Sequence, residues 1–438
     1  MADIRPFRAV RYDPARVGGL GAVIGPSEDI PSVEHARAIA EGHPYHPVRL
    51  EMHDVPADAS FAGAGRLLSK WLREGVLVRD HRPAVYVYEQ EYAYGDERRN
   101  RCGFFATLPL SEPEAGVVLP HERVLPQNLD LRIELLRDIR ANLSAVYLLI
   151  KDDGWIGRTL AEIVGNPPDL SGEDDEGGVH RLWVVNDPQP IRELREAAAG
   201  QPLYIADGHH RYAAALAYRD ELRQRDGQAG RADDVLVYVA DVADPGILVL
   251  PIHRVVGALA GLAWGEVVAR LERYFDLQQC PFTSLASRCT LDSAVSRLAR
   301  TDGPPTYLLL GAGGEALVEA RLRDWAAIEP LLPPEVSPLT RRLDVTVLDA
   351  VVLRQVLGIE ASEVEQRVEF TPDVAQAARA VGDGEAALAA FVRPTPLAAL
   401  LAVARAGERM PQKSTYFYPK VPIGLVIHDF DDERSGKA

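Results

Sequence analysis

The chain has 438 residues, of which 47% are apolar and 26% charged, a balance that excludes extended disorder and leaves room for two or three domains. Its 64 acidic and 48 basic side chains give a net charge of −16, which disfavours a nucleic-acid backbone or an anionic membrane surface as partner. No apolar run approaches the roughly 20 residues of a bilayer span, the first residues lack a signal-peptide core, and the three cysteines have no metal spacing; the expectation is a cytoplasmic protein without structural zinc.

In chain order, Ile24 to Ser32 reads as a turn with two adjacent carboxylates, Glu28 and Asp29, ahead of a helix beginning near Ser32. Either carboxylate suits a general base or a Mg²⁺ ligand, and a surface turn that caps the helix accounts for the same residues. Residues 83–88 form a strand by their β-branched and aromatic content. Pro120-His121-Glu122-Arg123 pairs an imidazole with a carboxylate, an arrangement that is either structural or substrate-orienting. Leu129, Ile133, Leu136 and Ile139 recur at helical spacing, with Arg132 among the polar positions between them. A buried strand follows at 145–150. The acidic stretch Asp169 to Gly178 lacks periodicity and EF-hand spacing, so it reads as a solvated loop.

The most informative segment runs from Pro202 to Tyr212. An apolar strand at 202–206 enters Asp207-Gly208-His209-His210-Arg211 and opens into an Ala-rich helix at about 211–223. Asp207 suits an N-cap and Gly208 a tight turn. The helix start offers unpaired N–H groups and a positive dipole end, and Arg211 can fork onto a phosphate or carboxylate. Cations at that end are unfavourable unless an anion joins them. The residues alone also fit a helix whose histidines are surface groups, and adjacent histidines make a poor metal pair.

Strands follow at 235–240 and 247–251, with a boundary near 250–262. Helices at 264–275 and 292–299 and a strand at 306–310 then restart the pattern. The alternation predicts a mixed α/β (α+β) architecture, with an N-terminal domain over 1–255 and a C-terminal α/β domain over 256–438. The last motif, Met410 to Lys420, places Lys413 and Ser414 before a short aromatic strand, and the functional reading expects this last stretch (410–428) to return to the Asp207 turn. It lacks the glycines of a phosphate loop, and an edge strand with solvated lysines fits the same residues.

Taken together, these segments resemble the family called domain of unknown function 1015 over nearly the whole chain. The resemblance is carried by Ile4 to Ala9, Pro120 to Arg123, Leu203 to Tyr212, Asp244-Pro245-Gly246 and Met410 to Lys420. The Asp207 to Arg211 turn is also similar to that of the ParB/sulfiredoxin superfamily, which includes free serine kinases and uses the equivalent turn for nucleotide phosphates. That implies a ParB/sulfiredoxin-like nucleotide-binding element elaborated with a second α/β domain. One departure stands out: where the family commonly has Ala-Pro-Pro-Tyr-Asp, this chain has Gly25-Pro26-Ser27-Glu28-Asp29, with Glu28 in place of tyrosine.

The resemblance and the residues together lead to an ATP-dependent phosphotransferase for a small hydroxyl metabolite, with free L-serine the first candidate. Asp207, Gly208, His209, His210, Arg211, Lys413 and Ser414 are the expected nucleotide and phosphate ligands. Asp29, Glu28 and His210 are the expected catalytic groups. His121, Glu122 and Arg132, with Arg123 beside them, are the candidates for the substrate. ATP and Mg²⁺ are the implied cofactors. The alternative is a nucleotide-binding switch or NTP hydrolase with no small-molecule acceptor; a nuclease or DNA-partitioning role conflicts with the −16 charge.

Overall fold

The computed structural model describes residues 1–25, 33–51, 63–124, 126–259, 261–280, 288–311 and 316–431. The chain divides into two units: one of residues 1–120, 124–248 and 419–438, the other of residues 121–123 and 249–418. Both are mixtures of strands and helices, so the fold is mixed α/β. No helix among the described residues is long and apolar enough to cross a membrane.

The first unit is built on eight strands: β1 (Val85–Tyr94), β2 (Glu97–Pro109), β3 (Val118–Leu119), β4 (Val146–Ile150), β5 (Leu170–Glu173), β6 (Val179–Val185), β7 (Leu203–Asp207) and β8 (Asp234–Asp241). Their order is β3-β7-β4-β8-β2-β1-β6-β5. The sheet is mixed: β3 runs parallel to β7 and β4 parallel to β8, and the other pairs are antiparallel.

Alternation along the strands divides this sheet chemically. Val85, Val87, Phe104, Ala106, Val146, Leu148, Val237 and Val239 point into an apolar core shared with α2 (Trp155–Val164) and α3 (Pro188–Ala199). The intervening positions carry Tyr86, Tyr88, Arg101, Phe105, Tyr147 and Tyr238 to the other face, all buried.

The expected strands at 83–88, 145–150, 202–206 and 235–240 are all present, each within two residues at the start; the second ends where expected, and the other three run on into charged residues that continue the ladder. Asp169 to Gly178 is a correction. Leu170–Glu173 pairs with Val179–Leu182 as an edge strand, and only residues 174–178 form the turn. The turn is closed by the Asp174 carboxylate, which accepts the Gly178 N–H at 2.7 Å and the Glu176 N–H at 3.0 Å.

The C-terminal segment is stitched into this unit along its length. Ile423 and Gly25 exchange backbone hydrogen bonds, as do Ile427 and Val10, and His428 pairs with Asn142. Arg79 and Asp429 form a buried ion pair at 2.6 Å.

The second unit holds an antiparallel sheet of β9 (His253–Val256), β10 (Phe275–Cys280), β11 (Thr306–Gly311), β12 (Ala316–Leu322), β13 (Val368–Thr371) and β14 (Leu388–Phe391), in the order β10-β12-β11-β14-β9-β13. Leu291, Ala294 and Leu298 of one helix and Ala377 and Val381 of another pack on Leu308, Leu310 and Phe391.

Candidate functional site

Strand β7 is apolar through Ile205, then loses register with β4 between Ile205 and Asp207, so Asp207 pairs with Tyr147. An irregularity of this kind turns a strand end and re-aims its side chain. Gly208 follows at φ 92°, in the left-handed region. It is the N-cap of the 18-residue helix α4 (His209–Asp226). A Cβ there would stand 3.0 Å from the Arg211 guanidinium, so glycine is required both by its backbone angle and by its neighbour.

Asp207 itself is not the N-cap, contrary to expectation: the helix start has no side-chain cap hydrogen bond. Its carboxylate is engaged elsewhere. One oxygen accepts from Lys420 Nζ and the other from Arg211 Nη2. Arg211 Nη1 donates to the Ala145 carbonyl. Burial pushes the Asp207 pKa up, but the charges of Lys420 and Arg211 and the Lys420 hydrogen bond outweigh it and hold the carboxyl well below the usual range. His209, buried in the first helical turn, acts on Asp207 in the same direction. His210 is half-buried next to it. The Ala-rich stretch brings α4 close to the sheet, and Tyr212 Oη and Arg219 Nη1 anchor it on the carbonyls of Ser111 and Leu110, each at 2.8–2.9 Å.

Arg132 lies on α1 (Pro126–Ile139) and lines a cavity of about 40 Å³ together with Arg211, Glu51 and Ser144. That is room for two or three waters. The buried Glu51 accepts a hydrogen bond from Ser144 Oγ at 2.7 Å. Glu28 and Asp29 lie outside the described residues. Gly25, just before them, pairs with Ile423, three residues beyond Lys420. The His46 ring packs where a Gly25 side chain would go, and its burial lowers its pKa to about 4, leaving it neutral at pH 7.

The remaining expected residues lie in the second unit and meet one another there. His121 is fully buried; its Nε2 is 3.1 Å from Thr415 Oγ1 and its carbonyl accepts the Met410 N–H at 2.8 Å. Glu122 accepts the Ser414 N–H at 3.2 Å, and the buried Ser414 donates from Oγ to the Pro411 carbonyl at 2.5 Å. Lys413 is exposed, with φ at 54°, and its carbonyl accepts from the buried Arg254 at 3.2 Å. These contacts order the 410–415 turn.

Among the described residues, sequence reasoning missed Lys420, Arg101, Glu51 and His46. Lys420 had a signal, since it closes the same motif that drew attention to Lys413. Among the described residues no cluster of three or more His, Cys, Asp or Glu side chains is placed to hold a metal ion.

The comparisons with known proteins can be set beside this geometry. No curated protein matches the chain. Similar solved structures include a free serine kinase variant in complex with AMP, with 14% identity, 74% of this chain and 91% of that one covered, and a TM-score of 0.38. Another free serine kinase variant, in complex with ADP, has 12% identity, the same coverage of both chains and a TM-score of 0.37. A conserved hypothetical protein from Pyrococcus furiosus has 12% identity, 74% and 95% coverage and a TM-score of 0.36. A family model described as protein of unknown function (DUF1015) matches residues 4–346, and the chain belongs to that family.

Proposed function

We propose that the protein is an ATP-dependent phosphotransferase acting on a small hydroxyl metabolite, with free L-serine as the first acceptor to test. The observation that carries the reading is the Asp207 cluster: its carboxylate bridges Lys420 and Arg211 at the glycine-opened start of a long helix that also carries His209 and His210. The helix start adds its partial positive charge to these side chains. Phosphoryl transfer is served mainly by positioning and by stabilising the phosphate oxygens. Arg211 would fork onto two of those oxygens and Lys420 would supply a point charge, with His209 and His210 in the same turn.

Asp29 or Glu28 is assigned the acceptor proton; the support is Gly25, which precedes that stretch and pairs with Ile423, three residues along the chain from Lys420. Mg²⁺ would arrive on the nucleotide's phosphates and share those carboxylates. Arg132, on the cavity it shares with Arg211, is assigned the acceptor's carboxylate.

Calorimetric titration with ATP and with ADP tests the nucleotide site. Lys420→Met is expected to weaken binding by roughly tenfold or more, the loss of one charge-assisted hydrogen bond. Equal affinity in the wild type and Lys420→Met would contradict the assignment.

A further inference from the structure

Arg101, Pro419 and the Asp244-Pro245-Gly246 turn belong to the first unit, and the proposed chemistry gives them no direct part. Arg101 is only 1% exposed, on the sheet face opposite the apolar core. A buried guanidinium is costly unless its donors are used. Here Nη2 donates to Gln90 Oε1 and Nη1 to the Pro419 carbonyl, both at 2.6 Å. The Tyr147 and Tyr238 rings flank it, with centroids 5.1 and 5.6 Å away. Among the described residues no carboxylate pairs with it. Its charge is thus held by a carbonyl, an amide and two rings.

The strand around Arg101 is itself clamped. Asp244 accepts the Cys102 N–H at 3.0 Å and the Gly246 N–H at 2.8 Å. Gly246 lies so close to the Arg101 backbone that a Cβ would stand 2.5 Å from its nitrogen, and Tyr92 Oη holds the Gly246 carbonyl at 2.7 Å. The residue after Pro419 is Lys420, which meets Asp207. Because the peptide group is planar, fixing the Pro419 carbonyl fixes the direction in which Lys420 leaves.

We propose that Arg101 is the positioning residue of the anion site: it ties down the Pro419–Lys420 peptide so that Lys420 Nζ lands on Asp207, and the Asp244-Pro245-Gly246 turn locks Arg101 for that task. The significance of the placement rests on the nucleotide reading above, but the placement is testable without any nucleotide. An amine-reactive ester labels Lys420 slowly while it is held on Asp207. The chain has five lysines, so peptide mass spectrometry resolves each rate.

In Arg101→Met, Lys420 should label roughly tenfold faster or more, as expected when a charge-assisted contact is released, with Lys70 and Lys151 unchanged. ATP affinity should fall about as far as in Lys420→Met, and the double variant should lose no more than either single one, because the two residues act as one device. Unchanged Lys420 labelling in a folded Arg101→Met protein, or losses that add in the double variant, would overturn the proposal. A wild type that binds no ATP would defeat the nucleotide reading alone, leaving the labelling to decide the placement. If Arg101→Met does not fold, Arg101→Lys keeps the charge but cannot bridge Gln90 and Pro419 together, and the same labelling ratio decides.

Discussion

Gly208 meets two demands at once, a φ of 92° and an Arg211 guanidinium folded back to within 3.0 Å of where a side chain would begin. Gly208→Ala should therefore cost about 1–2 kcal/mol of stability, the scale of a left-handed non-glycine residue, and should also displace Arg211. Urea denaturation and ATP titration read the two effects separately, and a variant as stable as the wild type would contradict the backbone argument. At this scale much of the site was legible: a strand, Asp-Gly and three basic side chains identify a helix start that favours an anion. The partner of Asp207 was not. Lys420 lies 213 residues away, and no local pattern chooses it over Lys413. The cap assignment failed for the same reason, since a carboxylate claimed by two cations is drawn away from the helix N–H groups.

Elements follow the same logic. Residues 146–150 and 235–240 are continuous apolar runs buried on both faces, which makes these strands readable from composition. Leu170–Glu173 is polar and has no apolar alternation; its strand character comes from backbone pairing with β6 at the sheet edge, which periodicity does not register. The parallel strands β4 and β8 share another feature at their ends, where Asp241 closes β8 with Asp152 as an electrostatic neighbour. Burial first, then the neighbouring Asp152, raises the Asp241 pKa from 3.8 to about 6. A carboxyl raised by folding stabilises the protein most below its unfolded value, and that contribution is lost as pH rises through the folded value. Asp241→Asn replaces the protonated carboxyl with a neutral group at every pH. It should therefore raise the urea midpoint most above pH 6 and little near pH 4. A gain of the opposite pH dependence would show that folding does not raise the Asp241 pKa.

Over the whole molecule, a chain of net charge −16 places Arg101, Arg211 and Lys420 within one unit, the last two bridged by the Asp207 carboxylate. The mixed α/β class was readable from the alternation of strands and helices. The course of residues 419–431 through the first unit depends on scattered backbone pairs with Gly25 and Val10 and on the buried Arg79–Asp429 ion pair, none of which leaves a local pattern in the sequence. That return delivers Lys420 to Asp207, so the proposed chemistry depends on the last part of the chain as much as on the Asp-Gly turn. The most direct test is phosphorus NMR of the protein with ATP, Mg²⁺ and a pool of L-serine, other hydroxyl amino acids and small alcohols, beside an Arg211→Ala control. The account predicts a new phosphomonoester signal that disappears in Arg211→Ala. ATP converted only to ADP and phosphate, or a signal that persists undiminished in Arg211→Ala, would contradict it.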